Sequence, residues 1–194
     1  MHFAAKRSII VSAPNGYFLY CITTVMIVKK ISAREGLFSM LTNYHTHTTR
    51  CGHAEGTEEE YILTALRCGY KVLGFSDHTP WAYATPGFVS HIRMLPAQLD
   101  DYVLTLRSLR EKYADRLHLH IGLEAEYFPA YLGWLKEETE RLGIEYLILG
   151  CHYDTTDEQD ARASRFGGST STAHGRRYAE QVVEALETGL YRYL

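Results

Sequence analysis

Short apolar runs alternate with amphipathic stretches along the chain from Leu41 onward. The predicted strands lie at 43–46, 72–76, 117–124 and 146–150. Between them, apolar residues recur every three or four positions, which predicts helices. The predicted helices begin near Thr57, Pro96, Leu132 and Gly175. Regular strand–helix alternation predicts an α/β fold, with parallel strands covered by outer helices.

Local signals mark where these elements begin and end. Thr57 to Glu60 reads as a capping box that opens the first helix, and Gly143 ends the third. An aromatic, Gly- and Pro-containing loop is predicted over 79–95, and a polar loop that we expect to be mobile over 154–172. Residues 190–194 resemble the start of a fifth strand. Four strands with the start of a fifth cannot close a barrel. The sheet is therefore either open or incomplete.

The N-terminal segment does not share this pattern, which divides the chain into 1–39 and 41–194. The apolar run Tyr17–Val28 is shorter than the ~20 residues that span a bilayer. No convincing cleavage site follows it, which argues against a signal peptide. We expect 1–39 to be a non-domain extension, with a start codon assigned ahead of Met40 as one explanation. The alternative is an extra helix packed on the domain.

Composition narrows the class of partner and the compartment. A net charge of −3 over 194 residues gives no electrostatic reason to expect nucleic acid or an anionic membrane. The four cysteines include no C-x-x-C pair, which favours a reduced, cytoplasmic protein. The sequence leaves the oligomeric state open.

The chain has ten histidines, the residues that most strongly suggest a metal site, and three of them fall in one short stretch. Residues two apart on an extended strand point to one face, with Cα atoms ~6.5 Å apart, so His45 and His47 can converge on one metal ion. His53 follows Cys51 and Gly52, where a turn can present a third imidazole. A core or surface histidine is the commoner case for each alone, but the cluster favours a metal site.

Each later predicted strand also ends in a potential ligand. The residues are Asp77 and His78, then Glu124 with Glu126 just beyond, then His152. Loops after the carboxyl ends of parallel strands form the active face of α/β folds. Nitrogen with carboxylate ligation suits Zn, Mn or Fe.

The remaining candidates fit structural or solvated roles better. His118 and His120 lie lower on the third strand, and His91 and His174 fall in predicted loops. Cys151 and His152 are adjacent and therefore face opposite ways on a strand, which disfavours a nucleophile–base pair.

Together these motifs resemble the PHP (polymerase and histidinol phosphatase) superfamily. The resemblance rests on Asn43-Tyr-His-Thr-His47 with Arg50-Cys-Gly-His-Ala54, Gly74-Phe-Ser-Asp-His78, Gly122-Leu-Glu-Ala-Glu-Tyr127 and Leu149-Gly-Cys-His-Tyr153. The order of the motifs is closest to the PHP-type histidinol-phosphatase branch. It implies part of a distorted (β/α)7 barrel that holds three metals at the strand ends. The implied metal ligands are His45, His47, His53, His78, Glu124 and His152, with Glu124 as the bridge.

The resemblance also implies an activity and its limits. It points to hydrolysis of a phosphomonoester, with L-histidinol phosphate in histidine biosynthesis as the first candidate and another phosphoester as the second. Asp77 is expected to orient an imidazole, as metal-bound histidines require. Arg50, Arg93 and Arg165 are candidates to hold the phosphate, against a plain solvated role.

The family's later His-Pro-Asp-type strand and Asp-x-His motif do not occur in 41–194. We therefore expect a partial domain, and a non-catalytic fragment is the alternative from a different class.

Overall fold

The centre of the fold is a four-stranded parallel sheet. The computed structural model describes the backbone of residues 9–13, 17–22 and 25–30, and all atoms of 41–158 and 165–194. The sheet has the order β4-β5-β6-β7. Its strands are β4 (Thr42–Asn43), β5 (Val72–Phe75), β6 (His118–Glu126) and β7 (Tyr146–Gly150). All three neighbouring pairs are parallel, as the sequence predicted.

Helices connect the strands, because a parallel pair needs a crossover. They are α1 (Glu58–Arg67), α2 (Leu99–Lys112), α3 (Leu132–Leu142) and α4 (Thr172–Glu187). Short 3-10 turns lie at Thr49–Cys51, Pro96–Gln98 and Pro129–Tyr131. The last helix begins three residues earlier than its predicted start at Gly175. Ser171 is the extended residue at its N-cap, so Gly175 lies within the first turns of the helix.

The start of α1 confirms the predicted capping box. The Thr57 hydroxyl accepts from the Glu60 backbone N–H at 3.3 Å, and Glu60 Oε2 accepts from the Thr57 N–H at 2.7 Å. Two backbone donors that the helix cannot satisfy itself are thereby paired. The chain after α1 turns at Gly69, whose φ of 83° favours glycine.

Apolar side chains from the helices cover the sheet. Tyr61 of α1 lies edge-on to Phe75 of β5, with ring centroids 6.4 Å apart. Tyr102 of α2 is fully buried and donates its hydroxyl to the Gly122 carbonyl at 2.9 Å. These contacts fix α1 and α2 over the strands whose ends carry the candidate chemistry.

Tyr146 links β7 to the chain after β4 and to β5 through its hydroxyl group. Its hydroxyl lies 2.7 Å from the Tyr44 carbonyl oxygen and 3.0 Å from that of Phe75. Its ring lies against Gly122 and its hydroxyl against Gly74, and a Cβ on either glycine would overlap it. The two glycines therefore allow a tyrosine to cross under the neighbouring strands.

The predicted start of a fifth strand lies beside β7. Leu149 N–H donates to the Tyr193 carbonyl at 2.8 Å, and Arg192 N–H donates to Leu147 at 2.9 Å. Tyr193 forms a single parallel bridge with Ile148. The centre of the polar loop, 159–164, is outside the described residues.

The N-terminal segment contains a separate antiparallel sheet. Its strands β1 (Ile9–Ala13), β2 (Tyr17–Ile22) and β3 (Val25–Lys30) pair in sequence order. The apolar run therefore lies on β2 and β3, and the alternative of an extra helix finds no support in the described part of this segment. The division near residue 40 stays a prediction. Within the described ranges, no helix has the length and apolarity that crossing a bilayer requires.

Candidate metal centre

The carboxyl ends of four strands bring the predicted ligands to one place. His45 and His47 follow β4, His78 follows β5, and His152 follows β7. His78 forms a parallel bridge with Glu124 of β6, which continues the β5–β6 pairing beyond Phe75. Backbone pairing thus sets the His78 imidazole, which follows β5, beside the Glu124 carboxylate of β6.

Glu124 is the centre of the cluster. Its Oε2 lies 3.1 Å from His45 Nε2, 3.0 Å from His47 Nε2 and 3.4 Å from His78 Nδ1. Its Oε1 lies 3.6 Å from His152 Nε2. One buried carboxylate therefore faces four imidazole nitrogens.

His53 completes the group of rings. Its centroid lies 5.6 Å from that of His47 and 4.8 Å from that of His78. The turn that presents it ends at Gly52, whose φ is 70°. All six ligands implied by the family resemblance are thus neighbours.

Glycine leaves room for the carboxylate. A Cβ on Gly150 would lie 2.8 Å from Glu124 Oε1 and 3.1 Å from His152 Cε1. A side chain at the end of β7 would therefore push Glu124 away from the imidazoles.

The electrostatics fit a cation. Burial alone would raise the pKa of Glu124, but hydrogen bonds from His45 and His47 hold it well below its usual value. Burial lowers the pKa of His78 well below its usual value. Its buried Nδ1 has no hydrogen-bond partner among the described residues. An ionised Glu124 beside the uncharged His78 ring offers lone pairs of the kind that a divalent metal requires.

Asp77 fixes the turn between His47 and His53 by hydrogen bonds from Thr48 and Cys51. Its fully buried carboxylate accepts from the Thr48 N–H and hydroxyl, both at 2.7 Å, and from the Cys51 thiol at 2.9 Å. The Cys51 sulfur in turn lies 3.4 Å from His47 Nδ1. Burial and Asp77 raise the pKa of Cys51, so its sulfur is a thiol here. The contact from Asp77 to an imidazole therefore runs through Cys51.

Glu126 is the residue that the sequence analysis undervalued. Its Oε2 accepts from the His152 backbone N–H at 2.9 Å, and its Oε1 lies 2.7 Å from His152 Nδ1. Burial lowers the pKa of His152, but the hydrogen bond and charge of Glu126 outweigh that effect and raise it. The two-residue spacing of Glu124 and Glu126 on a strand was the available signal.

The three candidate phosphate-holding arginines have different surroundings. Arg50 donates to Glu58 at 2.6 Å and to Asp101 at 2.7 Å, which joins the first turn to α1 and α2. Arg93 is buried between Glu126 and Asp157. Arg165 lines a cavity of about 350 Å³ that His152 also lines.

The side chains assigned structural roles lie away from Glu124. His120 Nδ1 is 2.6 Å from Glu145 Oε2, and His118 is exposed. Burial raises the pKa of the Cys151 thiol to about 12, which removes it as a nucleophile at neutral pH.

Comparison with known proteins identifies the family. The PHP domain model matches residues 43–190. The chain belongs to the PHP domain family. The match includes Glu124 and the five histidines around it and excludes the N-terminal sheet, so the predicted resemblance and the partial PHP barrel are confirmed.

Two curated PHP relatives carry the name "Probable histidinol-phosphatase". The protein from Deinococcus radiodurans is 34% identical over 116 residues, which are 58% of this chain and 42% of the relative. The protein from Schizosaccharomyces pombe is 29% identical over 115 residues, 56% of this chain and 38% of the relative. The chain thus spans about two fifths of the length of these relatives.

A solved structure has the same fold. The histidinol phosphate phosphatase from Lactococcus lactis, complexed with zinc, L-histidinol and phosphate, superposes with a TM-score of 0.56 at 16% identity. The match covers 75% of this chain and 53% of that protein. At 16% sequence identity, this structural similarity is evidence for a shared fold alone.

Proposed function

We propose that this chain carries the site of a divalent-metal-dependent phosphomonoesterase that converts L-histidinol phosphate and water to L-histidinol and phosphate. The observation that carries the proposal is the Glu124 carboxylate, which lies within 3.6 Å of four imidazole nitrogens from three strand ends. The names of the relatives supply the substrate.

The cluster would hold the metal ions through His45, His47, His53, His78 and His152, with Glu124 shared between them. Bound divalent cations would acidify a water molecule and neutralise the charge that develops on the phosphoryl oxygens. Zinc is the first candidate, because a zinc complex is known for the Lactococcus lactis protein. Manganese and iron also suit this donor set.

The chain's own side chains have distinct tasks in this proposal. Glu124 supplies a permanent negative charge, and its low pKa keeps it ionised at neutral pH. Asp77 holds the first turn in place through Thr48 and Cys51. Arg165 is exposed beside His152 and is the arginine best situated to meet an incoming phosphate.

Phosphate release from L-histidinol phosphate tests the proposal. The assay compares this chain with the same chain continued through the later strands of the family, each with added Zn²⁺ or Mn²⁺. Glu124→Gln keeps the shape of the side chain and removes its charge, while Glu145→Gln makes the same change beside His120 at the other end of the strand. We expect metal-dependent turnover that Glu124→Gln abolishes and Glu145→Gln leaves intact.

Absence of turnover in the longer form would overturn the histidinol phosphatase assignment. Turnover of other phosphomonoesters but not of L-histidinol phosphate would favour another PHP phosphoesterase. Turnover confined to the longer form would make this chain a non-catalytic fragment of the enzyme.

A further inference from the structure

Glu126 fixes the orientation of the His152 ring. Its two carboxylate oxygens contact both the backbone N–H and the ring Nδ1 of His152, at 2.9 and 2.7 Å. Its side chain is 1% exposed, whereas that of His152 is 45% exposed. A partly exposed ring is therefore held by a buried acid. When the carboxylate accepts from Nδ1–H, the lone pair of the neutral ring lies on Nε2, which faces Glu124.

Arg93 compensates the buried charge of Glu126. Its Nη2 lies 3.3 Å from Glu126 Oε1, and its guanidinium side chain is 1% exposed. Burying a carboxylate without a partner is costly. Removing Arg93 would leave the acid that holds His152 uncompensated.

Asp157 holds Arg93 from the other side. Its Oδ2 accepts from Arg93 Nε at 3.3 Å and from the Ser90 hydroxyl at 2.9 Å, and its Oδ1 accepts from the Tyr83 hydroxyl. Tyr83 and Ser90 belong to the aromatic loop after β5. The guanidinium is thereby fixed between two acids, with the Phe128 ring 5.8 Å away.

We propose that Arg93 and Glu126 are positioning residues that hold His152 Nε2 toward Glu124 and so set the affinity of the site for a divalent cation. The inference rests on the proposed function for its metal, and it gives Arg93 a role other than holding a phosphate. Outer partners of this kind change metal affinity by about 10–100-fold when they are removed.

Zn²⁺ titration against a chromophoric chelator tests the proposal without any substrate. The variants are Glu126→Gln, Arg93→Met and the control Glu145→Gln, whose carboxylate contacts His120 instead. A glutamine amide cannot accept at both His152 contacts and also face Arg93. We expect Glu126→Gln and Arg93→Met to weaken Zn²⁺ binding about 10–100-fold with unchanged stoichiometry, and Glu145→Gln to leave binding unchanged.

The ¹⁵N shifts of the His152 ring provide a readout that general destabilisation does not move. We expect the tautomer with Nδ1–H in the parent chain and its loss in Glu126→Gln. Because the buried Arg93→Met variant can fail to fold, Arg93→Lys serves as its conservative counterpart, and Glu126→Gln tests the proposal independently of both.

Three results would overturn the inference. Unchanged Zn²⁺ affinity and tautomer in Glu126→Gln would show that Glu126 does not position His152. Loss of a whole zinc equivalent would make Glu126 a ligand, since its oxygens lie within 4.8 Å of donors from His78 and His152. Weaker inhibition by inorganic phosphate with normal Zn²⁺ binding in Arg93→Lys would make Arg93 the phosphate holder. A failure of the phosphatase assay would leave these binding results unaffected.

Discussion

The ring of Tyr146 occupies the space that a side chain on Gly122 would need. A Cβ built on Gly122 overlaps the ring carbons, and one on Gly74 overlaps the hydroxyl group. The same hydroxyl contacts the carbonyls of Tyr44 and Phe75. The packing of Tyr146 against the two glycines and the positions of β4 and β5 near their carboxyl ends are therefore coupled through one side chain.

Gly122→Ala is expected to destabilise the fold. The added methyl group must displace a ring held by two hydrogen bonds, and overpacking of this kind costs about 1–3 kcal/mol or more. Gly133→Ala is the matched control, because Gly133 lies in α3 with nothing within 4 Å of its Cβ position. The control should gain about 0.5–1 kcal/mol from helix propensity. Urea unfolding measures both, and equal stabilities for the two variants would contradict this account of Tyr146.

Asp77→Ala is expected to lower stability by at least about 2 kcal/mol. The substitution leaves the Thr48 N–H, the Thr48 hydroxyl and the Cys51 thiol without their buried acceptor. Asp77→Asn should cost less, because its amide oxygen keeps one of these contacts and the Thr48 hydroxyl can rotate to accept. Thermal unfolding compares the two with Asp115→Asn, an exposed control. A stable Asp77→Asn variant with no turnover would instead indicate a direct catalytic role.

His45→Ala and His152→Ala are expected to abolish metal-dependent turnover in a complete enzyme. His120→Ala should leave turnover intact and cost less than about 1 kcal/mol, because its pair with Glu145 is more than 30% exposed on both sides. Phosphate release and chemical unfolding measured on the same preparations separate the two effects. Similar catalytic losses in all three variants would mean that the site is misplaced along β6.

Divalent metal is expected to raise the melting temperature of the chain. A ligand at 100 times its Kd stabilises the folded state by about 2.7 kcal/mol. Treatment with EDTA should reverse the shift, and Glu124→Gln should remove most of it, because the carboxylate shared by four imidazoles loses its charge. Differential scanning calorimetry with and without Zn²⁺ measures this. An equal shift in Glu124→Gln would place zinc at another site.

Much of this organisation follows from local sequence patterns. The capping box at Thr57 and the apolar runs predict the elements, and the rule that parallel strands end at one edge predicts that His78 and Glu124 meet. The period of two along β6 also accounts for Glu126, although only its partner on the same face, Glu124, was given a role. The predicted start of α4 near Gly175 is three residues late, because the helix begins at Thr172 and Gly175 lies inside it.

Other features depend on contacts between distant segments. Asp157 lies in the loop after β7, yet its partners Tyr83, Ser90 and Arg93 all lie in the loop after β5. No spacing or periodicity connects these positions. The pairing of Arg93 with buried acids likewise depends on how the loops close, so the sequence alone offered only a phosphate contact or a solvated role for it.

The imidazoles around Glu124 differ greatly in their access to solvent. His47 and His78 are 10% and 8% exposed, whereas His45 and His152 are both 45% exposed. One side of the cluster is thus buried, and the other side is open to solvent. A metal ion coordinated by His45 or His152 should be transferred to a chelator quickly, whereas one beside His78 should be transferred slowly. Removal of metal by a chelator should therefore show two kinetic phases.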